Sequence, residues 1–175
     1  METAPGRILV LVRHAKSSWD LDVEDADRPL SGRGRRDARA VGELLVARCL
    51  RPDLVLCSTA TRTRQTWQGA TDGGAGAGEV RFEGGIYHAW VPELLALVRA
   101  VPDGVDTLLM LGHAPGIPDL AAHLGVREHG SDMWARLEEK FPTAAVAILA
   151  VPGSWTELGK ARARLVAYQV ARAAP

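Results

Sequence analysis

Three short apolar runs, Ile8–Val12, Leu54–Cys57 and Thr107–Leu111, are separated by longer stretches whose apolar residues recur at helical spacing. An apolar run without polar alternation fits a strand covered on both faces, and strands alternating with amphipathic helices build a parallel sheet between two helical layers. The pattern predicts an α/β fold, a three-layer α/β/α sandwich. From Gly34 to Cys49, Ala38, Val41, Leu44, Leu45 and Cys49 fall on one stripe with Arg and Glu opposite, which reads as an amphipathic helix. A second helix is expected from Thr61 to the glycine-rich surface loop "TDGGAGAG". A third covers "PELLALVRAV" and stops at Pro102-Asp103-Gly104, and a fourth runs from Gly116 to Leu124. "TAAVAILAV" and "RARLVAYQV" read as two further strands around the Pro152-Gly153 turn, giving the mostly parallel sheet an antiparallel edge. No repeat or linker divides the 175 residues, so residues 1–175 are expected to form one domain.

Composition narrows the partners. The formal net charge is zero, so nothing global draws the chain to nucleic acid or to an acidic membrane, and any positive site must be built locally. No segment reaches the roughly 18 continuous apolar residues of a membrane span, and a cytoplasmic protein is expected. Cys49 and Cys57 lack Cys-x-x-Cys spacing and read as small core residues rather than a disulfide or zinc pair. His88, His123 and His129 show no metal-ligand spacing, and no metal or cofactor is expected.

Each of the three clearest strands runs directly into residues that handle anions: "VLVRH", "LVLCSTATRTRQT" and "LLMLGHAPG". Ligands of open parallel sheets bind beyond the carboxyl ends of the strands, so Arg13, His14, Arg62 and His113 are expected on one rim. Their chemistry is complementary. A phosphoryl group in transfer spreads negative charge over three equatorial oxygens, which guanidinium groups can hold while a neutral imidazole attacks phosphorus. Nearby guanidinium charge favours the neutral imidazole.

Arg13-His14-Ala15-Lys16-Ser17 resembles the RHGxS signature of the histidine phosphatase (phosphoglycerate mutase-like) superfamily, with Ala in the usual Gly position. "DRPLSGRGRRDA" resembles its PLTxxGxxQA segment, "STATRTRQT" its SxxxRAxQT segment, and Gly112-His113 the GH of its second catalytic histidine. The matches extend from Ile8 to about Leu124. Short length, "RHAKSSW", "RPLSGRG", "LCSTATRTRQTW" and "EKFPT" are most similar to the SixA branch of small phosphohistidine phosphatases. The resemblance implies that His14 accepts the phosphoryl group, Arg13 and Arg62 clamp it, and His113 donates a hydrogen bond to it. It adds Arg28 as a further phosphate contact, where the residues themselves equally allow an ion pair with Asp25 or Asp27, and gives Ser17 a supporting role. The implied partner is a phosphorylated protein or a small phosphorylated substrate. Arg64, two residues past Arg62, is expected on the surface.

Relatives that cleave phosphate esters carry an Asp or Glu that protonates the leaving alkoxide. Its counterpart is not recognisable here: "VRFEGGIYHAW" offers Glu83 and His88 outside any acid motif. A phosphohistidine substrate needs no such acid, because a ring protonated on its distal nitrogen departs as neutral imidazole; an acyl phosphate satisfies the same condition. The alternatives are a small-molecule phosphomonoesterase of the same superfamily, or a non-catalytic phosphate-binding module. Ala114 stands where relatives commonly have Asn, which removes a side chain able to tie neighbouring loops. The five tryptophans read as core or pocket walls, and Trp19 lies near enough to the signature to flank a substrate.

Overall fold

The computed structural model describes residues 6–174, and in it the apolar runs form the centre of a six-stranded mixed sheet. In chain order the elements are β1 (Arg7–Arg13), α1 (Gly32–Ala47), β2 (Leu54–Ser58), α2 (Thr61–Asp72), β3 (Glu79–Glu83), α3 (Val91–Arg99), β4 (Thr107–Gly112), α4 (Gly116–Leu124), α5 (Asp132–Glu139), β5 (Ala145–Val151) and β6 (Arg164–Val170). Single 3-10 turns lie at Asp25–Asp27 and Gly84–Ile86. The strand order is β3-β2-β4-β1-β5-β6. The first four are parallel, β5 pairs antiparallel with β1, and β6 pairs antiparallel with β5. The predicted sandwich with its antiparallel edge is the fold observed.

Alternation along the central strands sorts the core into two layers. Leu9, Leu11, Leu108 and Met110 face Leu94, Ile117, Leu120 and Trp134 of α3, α4 and α5. Val10, Val12, Leu109 and Leu111 face Val41, Leu45 and Trp67 of α1 and α2. Helices α1 and α2 approach closely because glycines line the crossing. A methyl group on Gly42 would lie 1.9 Å from the Ala70 carbonyl oxygen, and one on Gly69 would lie 2.6 Å from the Ala38 Cβ.

Three local readings are corrected. Helix α1 begins two residues before Gly34, where the Ser31 side chain accepts from the Gly34 amide, and it ends at Ala47. Cys49 is therefore outside the helix and exposed. It takes a left-handed backbone, φ 54°, and lets Leu50 N–H reach back to the Leu45 carbonyl, a helix stop that turns Leu50 inward in its place. Strand β3 and helix α5 were not anticipated. β3, "EVRFE", is a mostly exposed edge strand whose charges hide its period, and α5 buries only Trp134 and Leu137. Trp67, Trp134 and Trp155 are core residues, whereas Trp19 and Trp90 are exposed, Trp90 as the wall of a surface cleft.

Among the described residues no helix is long and apolar enough to cross a membrane. The α1–α2 crossing makes a direct prediction. Gly42→Ala must push two backbones apart, and overpacking of this kind costs about 1–3 kcal/mol. The chemical-denaturation midpoint should fall accordingly, and an unchanged midpoint would show that the crossing yields without cost.

Candidate active site

The site is built where β1, β4 and β2, neighbours in the sheet, end on the same side. Register pairs Arg13 with Gly112, so the next residue of each strand, His14 and His113, emerge side by side. Their ring centroids are 5.3 Å apart, and the His14 amide donates to the Gly112 carbonyl. Ser58 closes β2, and after a two-residue link α2 opens with Arg62 in its first turn. Three parallel strands thus deliver both imidazoles and an arginine to one place.

The His14 ring is held in one tautomer. Its Nδ1 lies 2.7 Å from the Ala15 carbonyl oxygen, which can only accept, so Nδ1 carries the proton and Nε2 keeps its lone pair. Thr66 fixes the loop that bears the ring: its Oγ1 accepts from the Ala15 amide at 3.0 Å and donates to the Arg62 carbonyl at 2.7 Å. Gln65 beside it accepts from the Leu30 amide at 2.8 Å, tying the "RPL" segment to α2. Burial pushes the His14 pKa down to about 4, opposed by the Ala15 hydrogen bond and reinforced by Arg62, Arg13 and Arg28. For His113, burial and then the neighbouring His14 and Arg62 push it down to about 3. Both rings are neutral at physiological pH.

The three donors around them share a pattern. Arg13 Nη1 is bound to the Phe141 carbonyl at 2.9 Å. Arg62 Nη1 and Nη2 are bound to the Asp25 carbonyl at 2.6 Å and the Asp25 carboxylate at 3.1 Å. His113 Nε2 is bound to Ser58 Oγ at 2.8 Å. In each case the protein occupies one end of the polar group and leaves another nitrogen, Arg13 Nε, Arg62 Nε and His113 Nδ1, buried without a hydrogen-bond partner. Buried polar groups are nearly always satisfied; of the four unpartnered nitrogens among the described residues, Arg7 Nε lies elsewhere and these three belong to side chains that converge on His14, an arrangement suited to an anion.

Arg28 is also brought to the site, on the far side of the same carboxylate. It pairs with Asp25 Oδ1 through Nε and Nη2, both at 3.0 Å, and donates through Nη1 to Ser17 Oγ at 2.8 Å. Ser17 is thus a support for Arg28. The indole of Trp19 stacks on this guanidinium at 3.5 Å. Arg64, by contrast, is exposed and lies over Phe82, as anticipated.

Sequence reasoning missed Tyr87 and Ser58 and gave Asp25 no part beyond a candidate ion pair with Arg28. Asp25 sits three residues before Arg28 among several acids, and spacing alone does not choose between them. Tyr87 adjoins His88, where an acid was sought; its hydroxyl donates to Asp25 Oδ2 at 2.6 Å and its ring meets His113 edge-on. Ser58 opens the "STATRTRQT" segment, so its signal was present without a role attached. The Tyr87 hydrogen bond and then the flanking Arg62 and Arg28 hold the Asp25 carboxyl well below the usual carboxylate range, against the effect of burial. It is ionised at neutral pH and cannot serve as a proton donor. Glu83 accepts from the Gly85 amide, capping the turn that follows it.

Side-chain NMR titration tests the electrostatics. His14 should titrate near pH 4 and His113 near pH 3, with His14 protonated on Nδ1 at neutral pH. Titration of either ring near its ordinary value of about 6.5 would contradict the burial and charge described.

Comparison with known proteins agrees with this arrangement. Residues 9–81 match the family described as the histidine phosphatase superfamily (branch 1). The uncharacterized protein Rv1276c of Mycobacterium tuberculosis is 38% identical over 162 residues, which span 92% of this chain and all of that protein. A solved structure from Nakamurella multipartitia, assigned as the phosphohistidine phosphatase SixA, is 37% identical with a TM-score of 0.85 over 96% of this chain and 98% of its own. Its Agrobacterium tumefaciens counterpart, assigned likewise, is 29% identical with a TM-score of 0.74 over 97% and 99%. A buried neutral histidine pair, two guanidinium groups and a fold shared along nearly the whole chain lead to one assignment: this chain belongs to the histidine phosphatase superfamily and is a phosphatase of the SixA type.

Proposed function

We propose that the protein removes a phosphoryl group from phosphohistidine in a protein, through a covalent phosphohistidine intermediate on His14. The observation that carries the reading is the trio of unpartnered buried nitrogens beside a histidine whose Nε2 lone pair is free. In the first step His14 Nε2 forms a bond to phosphorus as the bond to the substrate ring nitrogen breaks. Arg13, Arg62 and His113 hold the equatorial oxygens, with Arg28 contributing positive charge behind Asp25 and Ser17 steadying Arg28. The substrate ring keeps the proton on its distal nitrogen and leaves as neutral imidazole. In the second step a water oxygen bonds to phosphorus as the bond to His14 Nε2 breaks, and the water's protons leave with the phosphate product; His14 departs as neutral imidazole, its proton kept on Nδ1 and hydrogen-bonded to the Ala15 carbonyl. Neither departure calls for a carboxylic acid, which fits the ionised Asp25.

The names borne by the Nakamurella and Agrobacterium relatives support phosphohistidine as the substrate class. We read the protein as cytoplasmic and its partner as a phosphorylated protein. These roles require no metal, because guanidinium and imidazole N–H groups meet the phosphoryl charge.

Two predictions follow from the mechanism. With a radiolabelled phosphohistidine protein, rapid alkaline quench should trap an acid-labile phosphoryl group on the wild type and none on His14→Ala, which loses turnover. Phosphohistidine should be cleaved at least about a hundredfold faster than a sugar phosphate, the scale of a missing general acid. Equal rates would establish an ester phosphatase, and absence of both label and turnover a binding module. Second, Asp25→Asn removes a negative charge from beside Arg62 and Arg28 but keeps an acceptor for them. Inorganic phosphate should then inhibit more tightly by about tenfold, a modest share of a nearby partly screened charge. Unchanged or weaker inhibition would separate Asp25 from the anion site.

A further inference from the structure

A cleft of about 110 Å³ opens directly beside the reacting groups. Arg62 and His113 form its inner end, Ala89 and Trp90 one part of its wall, and Ala114 and Pro115 another, with His88 completing the lining. Because Arg62 and His113 belong to both, the cleft is continuous with the candidate phosphoryl site. We propose that it is the leaving-group subsite, shaped to take a single flat, neutral five-membered ring, the imidazole of a phosphorylated histidine. This rests on the function proposed above and extends it to the residues that select the substrate.

Four observations carry the inference. The first is size: a space of about 110 Å³ admits one small flat ring. The second is chemistry. No carboxylate among the described residues lines the cleft, so a leaving group that needs no carboxylic acid is the kind that suits it. The third is construction. The start of α4 packs so closely against the wall that a methyl group on Gly116 would lie 2.4 Å from the Ala89 carbonyl oxygen. His88 holds a left-handed backbone, φ 57°, with its ring 4.0 Å from that of Tyr87, which in turn abuts His113. A non-glycine residue in that conformation persists where its surroundings fix it.

The fourth is the rim. Trp90 is 62% exposed although it lines the cleft, so one aromatic face is available to whatever enters. Ala114 is exposed and carries only a methyl group, so the opposite side is open. A larger residue at 114 would narrow the mouth. The departure from Asn at this position thus gains a consequence: it leaves room for a ring attached to a polypeptide.

The test compares two substrates that share a leaving group needing no acid but differ in the ring, a phosphohistidine peptide and acetyl phosphate. Both variants sit at exposed positions: Ala114→Leu fills the cleft and Trp90→Ala removes its aromatic wall. The ratio of kcat/KM on the phosphohistidine peptide to that on acetyl phosphate should fall at least tenfold in Ala114→Leu and about fivefold in Trp90→Ala. A wild type that cleaves both substrates, with the ratio unchanged in both variants, overturns the subsite and leaves the proposed function standing. A wild type that cleaves acetyl phosphate but not the peptide overturns the substrate reading and the subsite with it.

Discussion

The parallel pairing of β1 with β4 is the constraint on which the rest depends. Once Arg13 is registered against Gly112, two imidazoles must emerge side by side at the sheet edge, within a few ångströms of guanidinium cations. Such neighbours are tolerable only if the rings stay uncharged. Burial and the surrounding positive charge enforce this, so the packing that assembles the site also sets the protonation state its chemistry requires. In the proposed mechanism His14 needs no dedicated base, because the Ala15 carbonyl has already settled which nitrogen bears the proton.

Asp25 plays the complementary part. Two partly or fully buried guanidinium groups would repel each other, and the carboxylate between them neutralises part of that charge while Tyr87 anchors it from the other side. It also consumes the terminal nitrogens of Arg62, which leaves Nε as the unpartnered donor. The same division of labour is seen in Arg13, tied to Phe141, and in His113, tied to Ser58. The "EKFPT" segment after α5 therefore matters to the site: it supplies the Phe141 carbonyl, and the Ala144 amide that follows caps the carbonyls of Arg13 and His14.

Much of this was legible in the sequence. Strands β1, β2 and β4 announced themselves because buried strands must be continuously apolar, and the histidine and arginine motifs follow them without a gap. α4 was readable to the residue, from the Pro115-Gly116 turn to Leu124. Strand β3 was not, because an edge strand exposed on most of its length has no hydrophobic period to read. Cys49 was assigned to a helical stripe that ends two residues earlier, since the spacing of apolar residues does not report a left-handed stop. Asp25 and Tyr87 lie 62 residues apart and meet only through the fold; neither carries a local signal that would have joined them. The carboxylate of the site was thus legible only as one of two candidate partners of Arg28.

The central claim is that Arg13, Arg62 and His113 surround one tetrahedral anion placed in line with His14 Nε2. A crystal structure of the protein with bound inorganic phosphate tests it most directly. The account predicts phosphorus opposite His14 Nε2, with oxygens about 3 Å from the nitrogens of all three donors. A phosphate seated elsewhere, or one approached by His14 through its Nδ1 face, would contradict it.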